Sequence, residues 1–407
     1  MEVCADLKGQ ALEQMHSRRV AGSRPATGKR MKVMLVITGM SMGGAEKVVA
    51  NLADALAQSG CEVLIVYLKA KPFQVSPQSP DVRVVCVGIN SVFDFFSGYA
   101  KFRRIVREFK PDVVHSHMFH ATMLTRLARL TTAIPSMIST AHNAHDGGRL
   151  RALAYRATDR LTDISTNVSC EAVEMFVDKG AVPEGRMVPI HNGIAVDKFQ
   201  PVPDAREKVR AAFGIAPDCK LYVAAGRLSI LKDYPNMFQA LVRLPSELEF
   251  KLLIAGDGVL RDSLEKMVSE LGLESRVQFL GIRGDVAELM SAADVFVLSS
   301  SGEGFALVVA EAMACECVVV ATDCGGVREV LGDDGFLVPS RDPDALAQAL
   351  VAASALGKDE ATAMGKAARR RVVNMYSFDR AVERWQQFYG NLVGGSRPRF
   401  DKPRAVG

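Results

Sequence analysis

The sequence predicts an α/β protein built from two doubly wound, parallel-sheet domains of Rossmann-like type facing a cleft. Three observations carry this. The 407 residues exceed the roughly 250–300 at which a single hydrophobic core stops growing. Short apolar runs of strand length alternate with stretches of helical apolar spacing, the order expected of a parallel sheet covered on both faces. That alternation then begins afresh in the second half of the chain.

In the first half, residues 31–38 (MKVMLVIT) form a strand run that ends in the glycine-rich loop 39–44, and helical spacing follows over 48–56. Residues 63–68 and 82–87 read as further strands, 99–109 as a helix, and 112–115 and 137–139 as buried strands. In the second half, strands are expected at 221–225, 250–255, 277–280, 295–299 and 318–321, with helices at 234–244, 261–271, 286–292 and 307–314 between them. The resulting division is a disordered tail (1–30), a first domain (31–195), a second domain (200–375), a C-terminal helix (376–392) and a flexible end (393–407). The link falls within 189–203, and the cleft at the carboxyl ends of the strands is the expected ligand site.

Composition narrows the function classes. With 48% hydrophobic and 24% charged residues and no apolar run of 18 or more, the chain does not read as membrane-spanning. Arg18, Arg19, Arg24, Lys29 and Arg30 flank no apolar core of a secretory signal. Eight scattered cysteines fit reduced thiols in a cytosol, and Cys315-Glu316-Cys317 lacks the further ligands a zinc site needs. A net charge of +4 argues against general nucleic-acid binding. The charge is uneven, however: residues 1–200 hold 25 Lys and Arg against 18 Asp and Glu, and the remainder 25 against 28. In the basic half, Phe93, Phe95, Phe96, Tyr99 and Phe102 run into Lys101, Arg103, Arg104, Arg107 and Lys110. This segment suits either an amphipathic helix with its aromatics in the core or a surface that meets anionic lipid.

Several segments carry chemistry. The loop 39–44 stands between a strand and a helix start, where glycine admits a close ligand and free amides attract an anion; a tight turn without a ligand fits equally. It has neither the dinucleotide fingerprint nor a P-loop, which leaves a nicotinamide oxidoreductase a distant alternative. Arg227 and Lys232 follow a strand and bring a guanidinium and an ammonium to one sheet edge, a pair suited to a diphosphate; a solvated loop with its cations on surface carboxylates is the other reading. Glu303 sits at a strand-to-helix loop with Glu311 two helical turns on. Amides of Gly304, Phe305, Ala306 and Leu307 would face an anion while the carboxylates accept hydrogen bonds from hydroxyls. Alternatively Glu303 caps the helix and Glu311 lies on its surface. Asp342-Pro343-Asp344 is read as a helix cap and not as a metal-binding D-x-D.

Gly43-Gly44-Ala45-Glu46, His191-Asn192-Gly193-Ile194, Gly226-Arg227 with Lys232, Gly256-Asp257-Gly258 and the E-x7-E segment from Glu303 to Glu311 stand in one order along the chain. In that order the sequence resembles the family 4 glycosyltransferases over roughly residues 31–392. The resemblance implies the GT-B fold and retaining transfer from a nucleotide sugar, with the acceptor on the first domain and the donor on the second. It also implies that Tyr376-Ser377-Phe378 and the aromatic helix after it (Trp385, Phe388, Tyr389) cross back onto the first domain. By the same resemblance Arg227 and Lys232 hold the donor diphosphate, Glu311 the ribose hydroxyls and Glu303 those of the transferred sugar. Gly304 to Leu307 offer amides, and Gly43 and Gly44 close over the donor. His142 matches the family histidine that reaches the donor sugar, so His142 and Glu303 are the expected catalytic residues. Ala306 stands where many members carry proline or glycine, which bears on the geometry of that loop.

Six of the seven histidines fall between 115 and 191; a metal triad of His115, His117 and His120 lacks a supporting carboxylate pattern, and structural or cleft-lining roles are preferred. No metal or other cofactor is expected beyond the nucleotide-sugar co-substrate, by family frequency a UDP-sugar. The expected partners are that donor and a glycan or lipid-linked acceptor, with peripheral contact at the anionic inner face of the cell membrane. Two alternatives stay open: a sugar-nucleotide epimerase of the same fold, and a non-catalytic carbohydrate-binding scaffold.

Overall fold

A computed structural model describes residues 30–41, 43–70, 73–143 and 147–395. Apart from Arg30 and residues 393–395, the expected tails lie outside the described residues, as do Met42 and His145. The chain forms two compact units. Among the described residues the first comprises 30–142, 147–190 and 382–395, and the second 143 and 191–381. The divisions fall after Ile190 and Ala381 rather than at 195 and 375. The cause is a backbone exchange: Ile194 N–H donates to Tyr376 O at 2.8 Å and Phe378 N–H to Ile194 O at 2.8 Å, tying both segments into the second unit.

The first unit is a seven-stranded parallel sheet in the order β3-β2-β1-β4-β5-β6-β7, with β1 (Lys32–Ile37), β2 (Glu62–Tyr67), β3 (Arg83–Cys86), β4 (Val113–His117), β5 (Ser136–Ala141), β6 (Ile164–Asn167) and β7 (Met187–Pro189). Its crossovers are α1 (Gly44–Gln58), α2 (Phe95–Phe109), α3 (Phe119–Arg129), α4 (Arg149–Thr158) and α5 (Cys170–Asp178). Alternation on β1 serves both faces of the sheet. Val33, Leu35 and Ile37 pack with Val49, Leu52 and Leu56 of α1, while Met34 and Val36 pack with Phe102, Val106 and Phe109 of α2. Each such fully buried side chain contributes about 1.5–3 kcal/mol.

The second unit is a six-stranded parallel sheet in the order β10-β9-β8-β11-β12-β13, with β8 (Lys220–Ala225), β9 (Phe250–Ala255), β10 (Val277–Gly281), β11 (Val295–Leu298), β12 (Val319–Asp323) and β13 (Phe336–Pro339). Its helices are α6 (Ala205–Phe213), α7 (Tyr234–Val242), α8 (Arg261–Glu270), α9 (Val286–Ala292), α10 (Leu307–Ala314), α11 (Val327–Leu331), α12 (Pro343–Ala355) and α13 (Lys358–Tyr376). The last helix, α14 (Phe378–Val393), delivers Trp385 and Tyr389 into the core of the first unit, where both are buried. In each sheet the strand order reverses once, at β1/β4 and at β8/β11, and those carboxyl ends are where an open α/β sheet binds ligands.

Some elements differ from expectation for identifiable reasons. Helix α1 begins at Gly44, not 48, because its first turn (Gly-Ala-Glu-Lys) carries no apolar period. Strand β4 runs to His117, past the expected end at 115, and β6 goes unrecognised in the sequence. Both are polar yet fully buried, because their hydroxyls find partners inside the fold: Thr166 pairs with Thr140 across the sheet at 2.6 Å, and Ser116 Oγ lies 3.2 Å from Thr122 Oγ1 of α3. Asp342 caps α12, its carboxylate accepting from Ala345 N–H at 2.9 Å with Pro343 in the first turn, as the sequence suggested. The aromatic stretch divides between buried and exposed rings. Phe102 and Phe109 are buried, whereas Phe93 and Phe96 are 92% and 82% exposed beside the exposed Lys101, Arg104, Arg107 and Lys110.

Candidate active site

In the second unit the loops after β8, β9, β11 and β12 are locked together by backbone contacts. Gly226 N–H donates to Ala255 O at 2.9 Å and Leu228 N–H to Asp257 O at 3.0 Å. A Cβ on Gly256 would fall 1.9 Å from Gly226 O, so the Gly256-Asp257-Gly258 signature is what lets these loops touch. This contact fixes the turn that presents Arg227, an exposed side chain. Lys232 ends a 3₁₀ turn (Ile230–Lys232) whose backbone is held by Ser299, with Ser299 Oγ donating to Lys232 O at 2.9 Å.

The sequence-predicted Lys232 and Glu303 are brought into direct contact. Lys232 Nζ lies 2.7 Å from Glu303 Oε1, and Ser300 Oγ donates to the same oxygen at 2.6 Å. Both charged side chains are mostly buried, at 19% and 14% exposure, so water screens the pair only partly. Glu303 is not a helix cap: α10 starts at Leu307 after Ala306, whose φ is +53°. Left-handed backbone in a residue with a Cβ costs about 1–2 kcal/mol, and strain of this kind concentrates at functional loops. Proline, with φ fixed near −65°, could not occupy this position in this backbone. Glu311 lies half-buried on α10.

Residues without an obvious sequence signal hold this loop. Thr322 Oγ1 donates to Ser300 O at 2.6 Å, and Gly326 N–H to Gly304 O at 3.3 Å. Gly325 has φ +57°, and a Cβ there would fall 1.9 Å from Glu303 O. Phe305 is buried against His191 and Tyr376, with ring centroids 5.5 and 5.3 Å away. His191 Nε2 in turn lies 2.8 Å from Glu329 Oε2, and Tyr376 O–H donates to Glu329 O at 2.7 Å. The motifs at 191–194 and 376–378 thus anchor the Glu303 loop from behind. Burial raises the thiols of Cys315, to about 12, and Cys317, which makes both inert.

In the first unit, Gly43 precedes α1, where Ser41 Oγ donates to Glu46 Oε1 at 2.9 Å. Glu46 is itself buried, and a Cβ on Gly43 would fall 2.2 Å from its Oε2; Gly44 is exposed at the helix start. His142 follows β5 and is half-buried, with Nε2 3.1 Å from His117 Nδ1. His115 is held at both ring nitrogens, by Tyr389 O–H at 2.7 Å and Thr140 Oγ1 at 2.6 Å, and it packs against Trp385. Burial drives the His115 and His117 rings well below the usual imidazole range, and His142 to about 4. The His115 and His117 rings are therefore both disfavoured as cations. His120 lies beyond them with its ring edge-on to Phe119, 5.3 Å away.

Comparison with known proteins agrees with this layout. The glycosyltransferase family 4 model matches residues 42–198, and the model of glycosyl transferases group 1 matches residues 205–371. The chain is 26% identical over 384 residues to N-acetyl-alpha-D-glucosaminyl L-malate synthase of Bacillus anthracis, covering 89% of this chain and 98% of the relative. It is also 26% identical over 326 residues to N-acetylgalactosamine-N,N'-diacetylbacillosaminyl-diphospho-undecaprenol 4-alpha-N-acetylgalactosaminyltransferase of Campylobacter jejuni, covering 75% of this chain and 84% of that one. Among solved structures, Anabaena HepE in complex with UDP-glucose superimposes with a TM-score of 0.77 at 21% identity, covering 89% of this chain and all of the other. With one glycosyltransferase model on each half and two parallel α/β units, the chain belongs to the family 4 glycosyltransferases and has the GT-B fold.

Proposed function

We propose that the chain is a retaining, metal-independent hexosyl- or N-acetylhexosaminyltransferase. It would draw its sugar from a UDP-sugar and form an α-glycosidic bond to a hydroxyl of a glycan or lipid-linked acceptor. The observation that carries this proposal is the 2.7 Å contact of Lys232 with Glu303, beyond the carboxyl ends of the adjacent strands β8 and β11. A cation and a carboxylate held side by side at the strand-order reversal meet the two needs of such a donor: neutralised phosphate charge and a hydrogen-bond acceptor for sugar hydroxyls. When a diphosphate arrives, Lys232 turns to it and frees Glu303 Oε1 for the sugar.

Arg227, Lys232 and the start of α10 supply the positive potential that a departing diphosphate requires. The acceptor oxygen bonds to the anomeric carbon on the face from which the diphosphate leaves. The electron pair of the broken C–O bond goes with UDP, and the acceptor proton follows it. Glu303 stays beside hydroxyls in this front-face path, so a stable glycosyl adduct on Glu303 would overturn it. Glu311 is assigned to the ribose, and Gly43, Gly44 and His142 keep toward the donor the roles that the resemblance implies. UDP is supported by the UDP-glucose complex of HepE, and a lipid-linked acceptor by the diphospho-undecaprenol substrate in the name of the Campylobacter relative. The exposed Val92, Phe93 and Phe96 near three exposed cations of α2 and Lys110 just after it support work at the inner, anionic face of the cell membrane, in cell-surface polysaccharide or lipopolysaccharide assembly.

Calorimetric titration with UDP, GDP and ADP, with and without EDTA, tests the proposal. UDP should bind regardless of EDTA, and Lys232→Ala should weaken it about 10- to 100-fold through loss of one charge-assisted contact. Absence of binding to any nucleotide would favour a non-catalytic scaffold, and conversion of the donor without an acceptor would favour an epimerase.

A further inference from the structure

His117 ends β4 and is 1% exposed. Its Nδ1 meets His142 Nε2 at 3.1 Å, while its own Nε2 is buried without a hydrogen-bond partner among the described residues. The His115 ring packs on it with centroids 3.9 Å apart, and both nitrogens of His115 are engaged by Tyr389 and Thr140. A charge on one of these rings would face its neighbours in a buried setting, so each ring carries a single N–H. One proton then lies between His117 Nδ1 and His142 Nε2, and two arrangements are open. If His142 donates, the His117 proton must sit on Nε2 as a buried donor with no acceptor, a group that folded proteins rarely tolerate. If His117 donates, only a bare ring nitrogen is left unpaired, and the His142 proton moves to Nδ1.

We infer that His117 is a positioning residue that locks His142 in the Nδ1–H tautomer, so that His142 meets its ligand as a hydrogen-bond donor and not as a general base. The ligand chemistry that follows is an oxygen with a free lone pair, such as a sugar hydroxyl. His142 Nε2, the only basic nitrogen of the ring, is already occupied by His117. The inference rests on the proposed assignment of His142 to the donor sugar only for its effect on rate; the tautomer stands on the geometry of the first unit alone.

The test is nitrogen-15 NMR of histidine-labelled wild-type protein at neutral pH, with the His142 signals assigned through His142→Gln. The expected spectrum shows a protonated Nδ1 and an unprotonated, hydrogen-bonded Nε2 for His142; a proton on Nε2 overturns the inference. His117→Asn, whose amide can donate from the place of Nδ1, should keep that signature and kcat within about threefold. His117→Ala should release the tautomer and lower kcat about tenfold, the loss of one aligned hydrogen bond. If neither variant folds, the wild-type spectrum still decides. A wild-type Nδ1–H signature with unchanged turnover in a folded His117→Ala variant would uphold the tautomer and overturn the role of His142 toward the sugar.

Discussion

Gly325→Ala puts the positioning of Glu303 to a direct test. The new Cβ would lie 1.9 Å from Glu303 O and 2.7 Å from its carbonyl carbon, whereas such atoms keep at least 3.0 Å from backbone. Either the Glu303 loop or the turn at Gly325 must therefore retreat by about 1 Å, enough to break the 2.7 and 2.6 Å bonds that Lys232 and Ser300 make to Glu303. The φ of +57° adds about 1–2 kcal/mol of backbone strain, and two lost bonds to a carboxylate, at about 1.5–3 kcal/mol each, add about 3–6 kcal/mol more. A 1 Å misplacement at a reacting centre lowers turnover about 100-fold. Gly214→Ala is the matched control, because its φ is +62° but nothing lies within 4 Å of the added carbon, so it carries the backbone strain alone. Urea denaturation of both variants, with steady-state turnover of the donor used by wild type, separates the two effects. Equal destabilisation by the two substitutions, with Gly325→Ala turning over normally, would refute the claim that this contact places Glu303.

Three further outcomes are expected. Ala306→Gly relieves the left-handed alanine and should stabilise the protein by about 1 kcal/mol in urea denaturation; a loss of stability would mean that Ala306 is not strained. Stability should fall as pH drops below about 6.5, because the unfolded chain then protonates His115, His117 and His142 while the native rings, held below their ordinary range by burial, stay neutral; urea midpoints unchanged between about pH 6.5 and 5.5 would contradict it. Replacing Phe93 and Phe96 by serine should abolish co-sedimentation with anionic vesicles at low salt without shifting the melting temperature, as both rings are exposed; wild-type protein that fails to sediment would remove the membrane from the proposal.

Much of the fold was legible because parallel sheets buried on both faces demand apolar runs, and β1 from Val33, β9 from Leu252 and all of β11 show them. Strands β4 and β6 broke that rule by burying serine, threonine and histidine whose partners lie on a neighbouring strand, on α3 and on α14, a pairing that no local window reveals. At the candidate site, Lys232 and Glu303 were legible as chemistry at strand ends, though their contact was not, since 71 residues separate them. Gly325 and Thr322 could not be singled out, because each acts on the backbone of a distant loop, and Ser300 reads as an ordinary loop serine until the direction of the Glu303 side chain is known. A glycine with positive φ looks like any turn until the carbonyl it spares is known.

The Lys232–Glu303 pair also bears on the order of affinities expected at this site. A carboxylate this shielded would be costly alone, and Ser300 supplies only one hydrogen bond to it. Lys232 offsets that cost, and under the proposed function the same ammonium is the group a diphosphate would claim. Under the proposed function, donor binding would transfer the cation from carboxylate to phosphate, and the stability of the bound state would depend on sugar hydroxyls replacing it at Glu303. A nucleoside diphosphate alone satisfies Lys232 but leaves Glu303 short of a partner, whereas the full nucleotide sugar satisfies both. On this account Lys232→Ala weakens a nucleotide sugar and its bare diphosphate alike, while Glu303→Gln, which removes the carboxylate charge, weakens the nucleotide sugar but leaves the diphosphate bound as well as before or better.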